Sequence, residues 1–395
     1  MGEARTYLDH NATAPLRSEA RAAMLAALDL VGNASSVHAE GRRARETIEV
    51  AREQVAAMVG AKPEEVVFTS GATEANNWVI RGGWDGLAIA AHEHDSVLAP
   101  AKMCGAKLTL LPVKGDGVVD LEALRELVGQ DVTGRSLFSL QYANSETGVL
   151  QPVAEVVGLV GANRRVHCDA VQAVGRVPVD FRGIGLDFMS ISGHKLGGPK
   201  GIGALVVRDG IDLSPLLAGG GQERRRRSGT ENVAAIAGFG AAATAALAGL
   251  GEMARVSGLR GRLEEGVRST TPKALVIGSE SPRLPNTSCI AMPGADASTL
   301  LIQLDMAGIA VSAGSACSSG KIGGSHVLAA MGIGSELARG AIRVSLGVTT
   351  TEQDVERFIA AWDRIQGPRN KRIGNEIATA NSALALAGAD GMAGE

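Results

Sequence analysis

ISGHKLGGPKG, from Ile191 to Gly201, is the stretch on which the fold turns. The buried-type run DFMSIS (187–192) leads into it, and Lys195 follows directly. Gly193, Gly197 and Gly198 clear room for the close approach of something flat or bulky. An isolated lysine is ordinarily a surface charge. At the end of a strand in an open α/β sheet it stands where ligands bind. Partial desolvation there lowers its pKa and makes the amine nucleophilic towards a carbonyl.

Working outward, short β-type runs alternate with helical patterns on both sides of this segment. VVFTS (66–70), LAIAA (87–91), KLTLLP (107–112), RSLFSLQY (135–142), RVHCDA (165–170) and GIGALVV (201–207) read as strands. DLEALRELV (120–128) and PVAEVVGLV (152–160) read as helices between them, and Ala44, Ile48, Ala51, Val55 and Val59 recur at helical spacing before Gly60. Apolar strands separated by helices predict an α/β fold with a mostly parallel sheet covered on both faces. Beyond about residue 250 the order changes. A helix, the strand NTSCIAM (286–292), a helix from Asp296, a glycine–serine loop, AIRVSLG (341–347) and a helix from Thr351 predict a smaller α+β domain. The expected division is an N-terminal segment (1–17) joining the small domain, a large domain (18–250), the small domain (251–368) and a flexible tail (369–395).

An aldehyde cofactor such as pyridoxal 5′-phosphate would use Lys195, and it demands partners. Its pyridine nitrogen needs a carboxylate. Asp169, in HCDAVQ, ends the preceding strand, with Gln172 one turn on. Its phosphate needs N–H groups at a helix start, and SGATE (70–74) places small residues and Thr73 at a strand-to-helix junction. Its ring needs a flat neighbour in a chain with only 3% aromatic residues; His94 is flat and can carry a proton.

Other chemistries fail on spacing. Gly314 to Lys321 is one residue too long for a phosphate loop and continues with Ile322, no GxGxxG follows a strand, and the HExxH zinc pattern finds Ser96 in place of its second histidine. No metal site is expected. The four cysteines, at 104, 168, 289 and 317, form no CxxC pair and fit free thiols in a reducing compartment. A net charge of −3 gives no reason to expect nucleic acid or membrane binding, and the run Arg224–Arg227 lacks interleaved aromatics. With no apolar signal core and no run of about eighteen apolar residues, cytoplasmic location is the expectation.

SGATE, HEHDSV, ANSETG, HCDAVQAVG and SGHKLGGPKGIGA occur in this order, and with YLDHNATAP (7–15) and IRVSLG the chain resembles cysteine desulfurases of the NifS/IscS type. The resemblance covers about residues 7 to 366. These are pyridoxal phosphate enzymes of fold type I, the aspartate aminotransferase fold. The resemblance implies that Lys195 bonds the cofactor aldehyde, Asp169 pairs with the pyridinium, Gln172 hydrogen-bonds the ring hydroxyl, and His94 stacks on the ring and shuttles protons. Ala72, Thr73, Ser192 and His194 would hold the phosphate. Thr230 would reach the phosphate of a neighbouring subunit, which implies a homodimer. Asn144 and Arg343 would clamp the substrate carboxylate, a task suited to a planar guanidinium.

It also gives SAGSACSSGKIGGS (312–325) a purpose. Cys317 would attack the sulfur of cofactor-bound L-cysteine, releasing L-alanine and keeping a persulfide for a sulfur-acceptor protein such as an iron–sulfur scaffold. The other thiols, Cys104, Cys168 and Cys289, are expected to be buried. Ala14, Ser145 and Val344 depart from the family's usual Thr, Asn and Phe, and the end of the chain does not match its partner-docking tail. A different fold type I enzyme, a selenocysteine lyase or an aminotransferase, is the alternative, with a non-catalytic scaffold as the third reading. An aminotransferase would have no need of Cys317.

Overall fold

Strand by strand, alternate residues feed two different cores. Val66 and Phe68 belong to one apolar cluster and Val67 to the other; Ala88 and Ala90 join the first, Leu87 and Ile89 the second. That period of two is the signature of a sheet covered on both faces. The computed structural model describes residues 5–129, 134–314 and 324–366. Its large sheet has seven strands in the order Val66–Thr69, Gly203–Val207, Phe188–Ser192, Arg165–Asp169, Ser136–Gln141, Gly86–Ala90, Lys107–Leu111. All pairs are parallel except those of Gly203–Val207, which is antiparallel to both neighbours. Every strand read from the sequence is present, and so are the two intervening helices, at Leu121–Val128 and Val153–Val160.

One face of the sheet is covered by the helix Ala39–Met58, whose Ala44, Ile48, Ala51 and Val55 are buried in the same cluster as Phe68 and Phe239. Helix Ala72–Ile80 and helix Asp95–Met103 cover the other face through Trp78, Val79, Val97 and Leu98. The expectation of no long apolar run needs correction. The stretch Val233–Thr270 is long and apolar enough by length and composition to cross a membrane. Its first part, Val233–Ala248, instead packs against Ala39–Met58 and Ser18–Leu28, burying Ile236, Phe239, Ala242, Ala243 and Ala246.

A second sheet of four strands runs Ser312–Ala313, Ala341–Ser345, Thr287–Ala291, Leu275–Ile277, antiparallel throughout. Helices Met253–Thr270, Ala297–Met306 and 352–366 enclose its core with Leu263, Leu300, Phe358 and Trp362. The N-terminal segment is woven into this part: Thr6–Tyr7 pairs in parallel with Ile309–Ala310, Leu8 is buried in the same core, and Asp9 bridges to Ser345.

The glycines around Lys195 do clear space, but for the chain itself. A Cβ at Gly198 would lie 2.9 Å from the carbonyl oxygen of Gly193, which the Gly198 N–H already occupies. A Cβ at Gly203 would lie 2.6 Å from the oxygen of Ile191 and 2.8 Å from Cα of Gly71. These contacts let the lysine turn and the SGATE junction close up against each other.

Candidate active site

Five strands that run in one direction end around a single cavity of about 540 Å³. Ser70 follows the first, His94 the second, Gln141 and Ala143 the third, Asp169 ends the fourth, and Ser192, His194 and Lys195 continue the fifth. Asn11, Ala12 and Thr13 enter from the N-terminal segment and Arg343 from the smaller sheet.

Lys195 ends a single 3-10 turn, Gly193–Lys195, that caps its strand. Its Nζ donates to the backbone oxygens of Asn11 and Ala12, at 2.5 and 3.0 Å. Arg176 holds the same corner from beneath, donating to the oxygens of His10 and Lys195 and to both the backbone and side-chain oxygens of Gln172. Burial, aided by the charge of Arg343, pulls the Arg176 pKa down to about 10. Gln172 completes the knot by donating to the Asn11 oxygen at 3.1 Å.

Asp169 is buried and fully directed. One carboxylate oxygen accepts from the Val171 N–H at 3.0 Å, the other from Asn76 Nδ2 at 2.8 Å. Asn76 Nδ2 also donates to Ser96 Oγ, and Ser96 Oγ lies 2.8 Å from His94 Nδ1. The Ser96 backbone N–H donates to that same nitrogen. Two donors on Nδ1 leave it without a proton, so the neutral His94 ring carries its hydrogen on Nε2. A continuous line from Asp169 through Asn76 and Ser96 thus fixes the ring's tautomer and orientation.

The opposite wall is cationic and rich in donors. Helix Ala72–Ile80 begins here, and N–H groups of a first helical turn have no partner inside the helix. His194 sits against Thr13 Oγ1 at 3.2 Å, and burial followed by the charges of Lys195, Lys200 and Arg176 lowers its pKa to about 4. Glu74 accepts from the Ser70 N–H and forms an ion pair with Arg227; burial raises its pKa, but these partners outweigh it and the net shift is downward. A buried carboxylate on one side, a helix N-terminus with histidine and lysines on another, and an amine between them are donors and acceptors of the kinds that pyridoxal phosphate would need for its ring nitrogen, phosphate and aldehyde.

Of the residues singled out in the sequence, Lys195, Asp169, Gln172, His94, Ala72, Thr73, Ser192, His194 and Arg343 all line this cavity. Asn144 does not. Its Oδ1 accepts from the Glu146 and Thr147 N–H groups and from Thr147 Oγ1, and its Nδ2 donates to the His92 oxygen, so the side chain is committed to shaping the turn behind the wall. Ser145, its neighbour, lines the cavity instead. Thr230 is exposed and borders an adjoining hollow with Ser70 and Gly201. Cys317 lies outside the described residues, as does the expected tail. Asn76 and Ser96 were missed by sequence reasoning, since a buried amide and a helix-start serine carry no spacing signal.

Cys168 and Cys289 are poor nucleophiles. Burial pushes the Cys289 thiol up to about 12 and Cys168 well above its ordinary value, with Glu93 and Asp169 adding to the latter. Cys104, expected to be buried, is only half-buried. Glu93, next to His94 in sequence, is wholly buried, and burial together with Asp169 raises its pKa well above the carboxylate range. Among the described residues no group of His, Cys, Asp and Glu could hold a metal ion.

Comparison with known proteins finds relatives over most of the chain. The family described as Aminotransferase class-V matches residues 6–358. A cysteine desulfurase of Cereibacter sphaeroides is 43% identical over 370 residues, 90% of this chain and 94% of that protein. An IscS-like cysteine desulfurase of Mycobacterium tuberculosis is 43% identical over 89% of this chain and 93% of its own length. Among solved structures, a NifS-like protein from Rickettsia africae superposes with a TM-score of 0.86 at 38% identity, covering 92% of this chain and 99% of that one. SspA in complex with cysteine gives a TM-score of 0.75 at 28% identity, over 88% of this chain and all of that one.

Proposed function

The chain belongs to the class-V aminotransferase family, and from that premise we infer that it is a pyridoxal phosphate-dependent cysteine desulfurase, converting L-cysteine to L-alanine. The observation that carries the reading is the convergence of Lys195, Asp169, His94, His194 and Arg343 on one cavity from distant parts of the chain. When bound, the cofactor supplies an aldehyde for the substrate amine and a conjugated ring that accepts electron density as the carbon–sulfur bond breaks.

Each protein group then has a task. Asp169, held by Asn76 and Val171, keeps a negative charge beside the ring nitrogen. The first turn of Ala72–Ile80, Thr73, Ser192 and His194 receive the phosphate; His194, neutral above about pH 4, does so as a hydrogen-bond partner. Lys195 lies among carbonyl acceptors that orient its amine. His94, with its proton on Nε2, is placed to exchange protons with the reacting substrate. Arg343 receives the substrate carboxylate.

Cys317 is the sulfur acceptor of this reading. Its thiolate takes the substrate sulfur, so that L-cysteine and the thiol become L-alanine and a Cys317 persulfide, which then passes to an acceptor protein such as an iron–sulfur scaffold. Two features favour it. The strand Ser312–Ala313, which leads into that segment, pairs with Arg343 and Ile342, and Ser325, which follows it, donates to Glu146 beside the cavity-lining Ser145. The fully buried Cys168 and Cys289 are unsuited to the role. On this reading the small domain brings Arg343 and Cys317 to a floor built by the large domain, in a cytoplasmic homodimer whose Thr230 serves the partner's phosphate.

The test is substrate choice. Holoenzyme given L-cysteine and a reductant should release sulfide and alanine in equal amounts, and Lys195→Ala should abolish both. Transfer of an amino group to a keto acid without sulfide release would instead establish an aminotransferase.

A further inference from the structure

Arg343 is 2% exposed, and a guanidinium so far from water needs a counter-charge. It finds one in Asp9. Nη2 donates to Asp9 Oδ1 at 2.9 Å, while Nη1 donates to the backbone oxygen of Ser145 at 3.1 Å. The remaining carboxylate oxygen of Asp9 accepts from Ser312 Oγ at 2.8 Å. Ser312 is itself the strand partner of Arg343, and Asp9 is bridged to Ser345, two residues along the same strand. Asp9 is therefore gripped from both ends and presents its charge in one direction. The nearby Arg176 is buried too, is bound among the described residues only to neutral oxygens, and is close enough for the charge of Arg343 to lower its pKa. Two buried cations thus share a corner in which Asp9 forms the ion pair with Arg343.

We propose that Asp9 is a positioning residue for substrate binding: its carboxylate balances the charge of Arg343 and fixes the direction of its fork, so that the amino-acid carboxylate meets a guanidinium already aimed. The inference rests on the reading that Arg343 receives that carboxylate. Without Asp9, Arg343 would keep only a carbonyl partner among the described residues. It would turn towards other acceptors or draw an anion from solution into the vacated place. Substrate and transition state carry the same carboxylate, so the loss falls on uniform binding and shows in KM rather than kcat.

Holoenzyme kinetics with L-cysteine, paired with thermal melts, tests this. Asp9→Ala, and the isosteric Asp9→Asn, should each raise KM about tenfold, the value of a hydrogen bond to a charged group, with kcat changed by less than about threefold. Asp9→Ala leaves a carboxylate-sized space beside a buried guanidinium. Replacing chloride with formate at equal concentration should therefore raise the melting temperature of that variant and leave the wild type unmoved. Wild-type KM in both Asp9 variants, while Arg343→Gln raises KM, would overturn this inference alone. A raised KM with no effect of formate on the Asp9→Ala melt would also overturn it, because the carboxylate would then not be acting as a counter-charge. An unchanged KM in Arg343→Gln would bring down the carboxylate reading of Arg343 and the inference with it.

Discussion

His94 and Asp169 owe their settings to residues that do no chemistry. Asn76 donates to both Asp169 and Ser96, and Ser96 in turn holds His94 Nδ1, so one buried amide keeps two functional groups in register. Asn76→Ala should lower kcat/KM for L-cysteine by about tenfold or more, the loss expected for a hydrogen bond to a charged acceptor. Melting temperature and cofactor content measured alongside will separate this from loss of fold. Glu93 makes the opposite case. Burial and the proximity of Asp169 hold it neutral, so Glu93→Gln, which preserves shape and neutrality, should leave stability close to wild type. Glu93→Ala should cost about 2 kcal/mol in denaturant unfolding through the hole it leaves. At this scale the sequence was readable where a residue's chemistry is rare and its place on a strand end is set by pattern, as for Lys195 and Asp169. It was unreadable where an ordinary polar residue acts through geometry, as for Asn76, Ser96 and Asp9. Asn144 is the converse: a residue picked from a motif whose side chain the turn consumes.

The elements of the large sheet were legible because a sheet covered on both faces demands apolar runs with helices between them. The direction of Gly203–Val207 was not, since an antiparallel strand inside such a sheet has the same apolar character as its parallel neighbours. Nor did the run QERRRR show its conformation. Glu223, Arg224 and Arg225 all have positive φ, at 44°, 56° and 67°, a left-handed turn that costs roughly 1–2 kcal/mol per residue for side chains other than glycine. A buried fork holds it in place. Arg52 donates from Nη1 and Nη2 to the two carboxylate oxygens of Glu223, and the Phe68 N–H donates to the same carboxylate. Both side chains are almost wholly enclosed. Glu223→Ala removes the buried carboxylate partner of Arg52, leaves it the partly exposed Glu49, and should cost about 3 kcal/mol by denaturant unfolding. Replacing both partners with apolar residues of similar volume should cost much less. Beyond this turn, Arg227 reaches back to Glu74 at the cavity edge, so the segment and the helix start are tied to each other.

Across the whole molecule, buried and half-buried histidines set the response to acid. His10, His92 and His194 are lowered to about 4 and His167 to about 3, chiefly because burial disfavours the charged ring. Unfolded histidines titrate near 6.5, so between roughly pH 6.5 and 4 the unfolded chain binds protons that the folded chain refuses. The stability these rings contribute is complete above about 6.5 and falls as pH drops through that window, by up to about 1.4 kcal/mol per pH unit for each ring. Glu93, kept protonated in the fold, works in the other direction as a single group. Urea unfolding midpoints should therefore be clearly lower at pH 5 than at pH 7.5; equal midpoints would mean that these rings are not held neutral. The same packing that excludes water from the rings brings the N-terminal segment, the large sheet and the small sheet together at one cavity.

On the proposed reading, sulfur from L-cysteine bound in this cavity passes to Cys317. Alanine released from L-cysteine, with a reductant present, by holoenzyme and by Cys317→Ala tests it most directly. Steady alanine release is expected from the wild type and none above background from the variant. Equal release by both would contradict it.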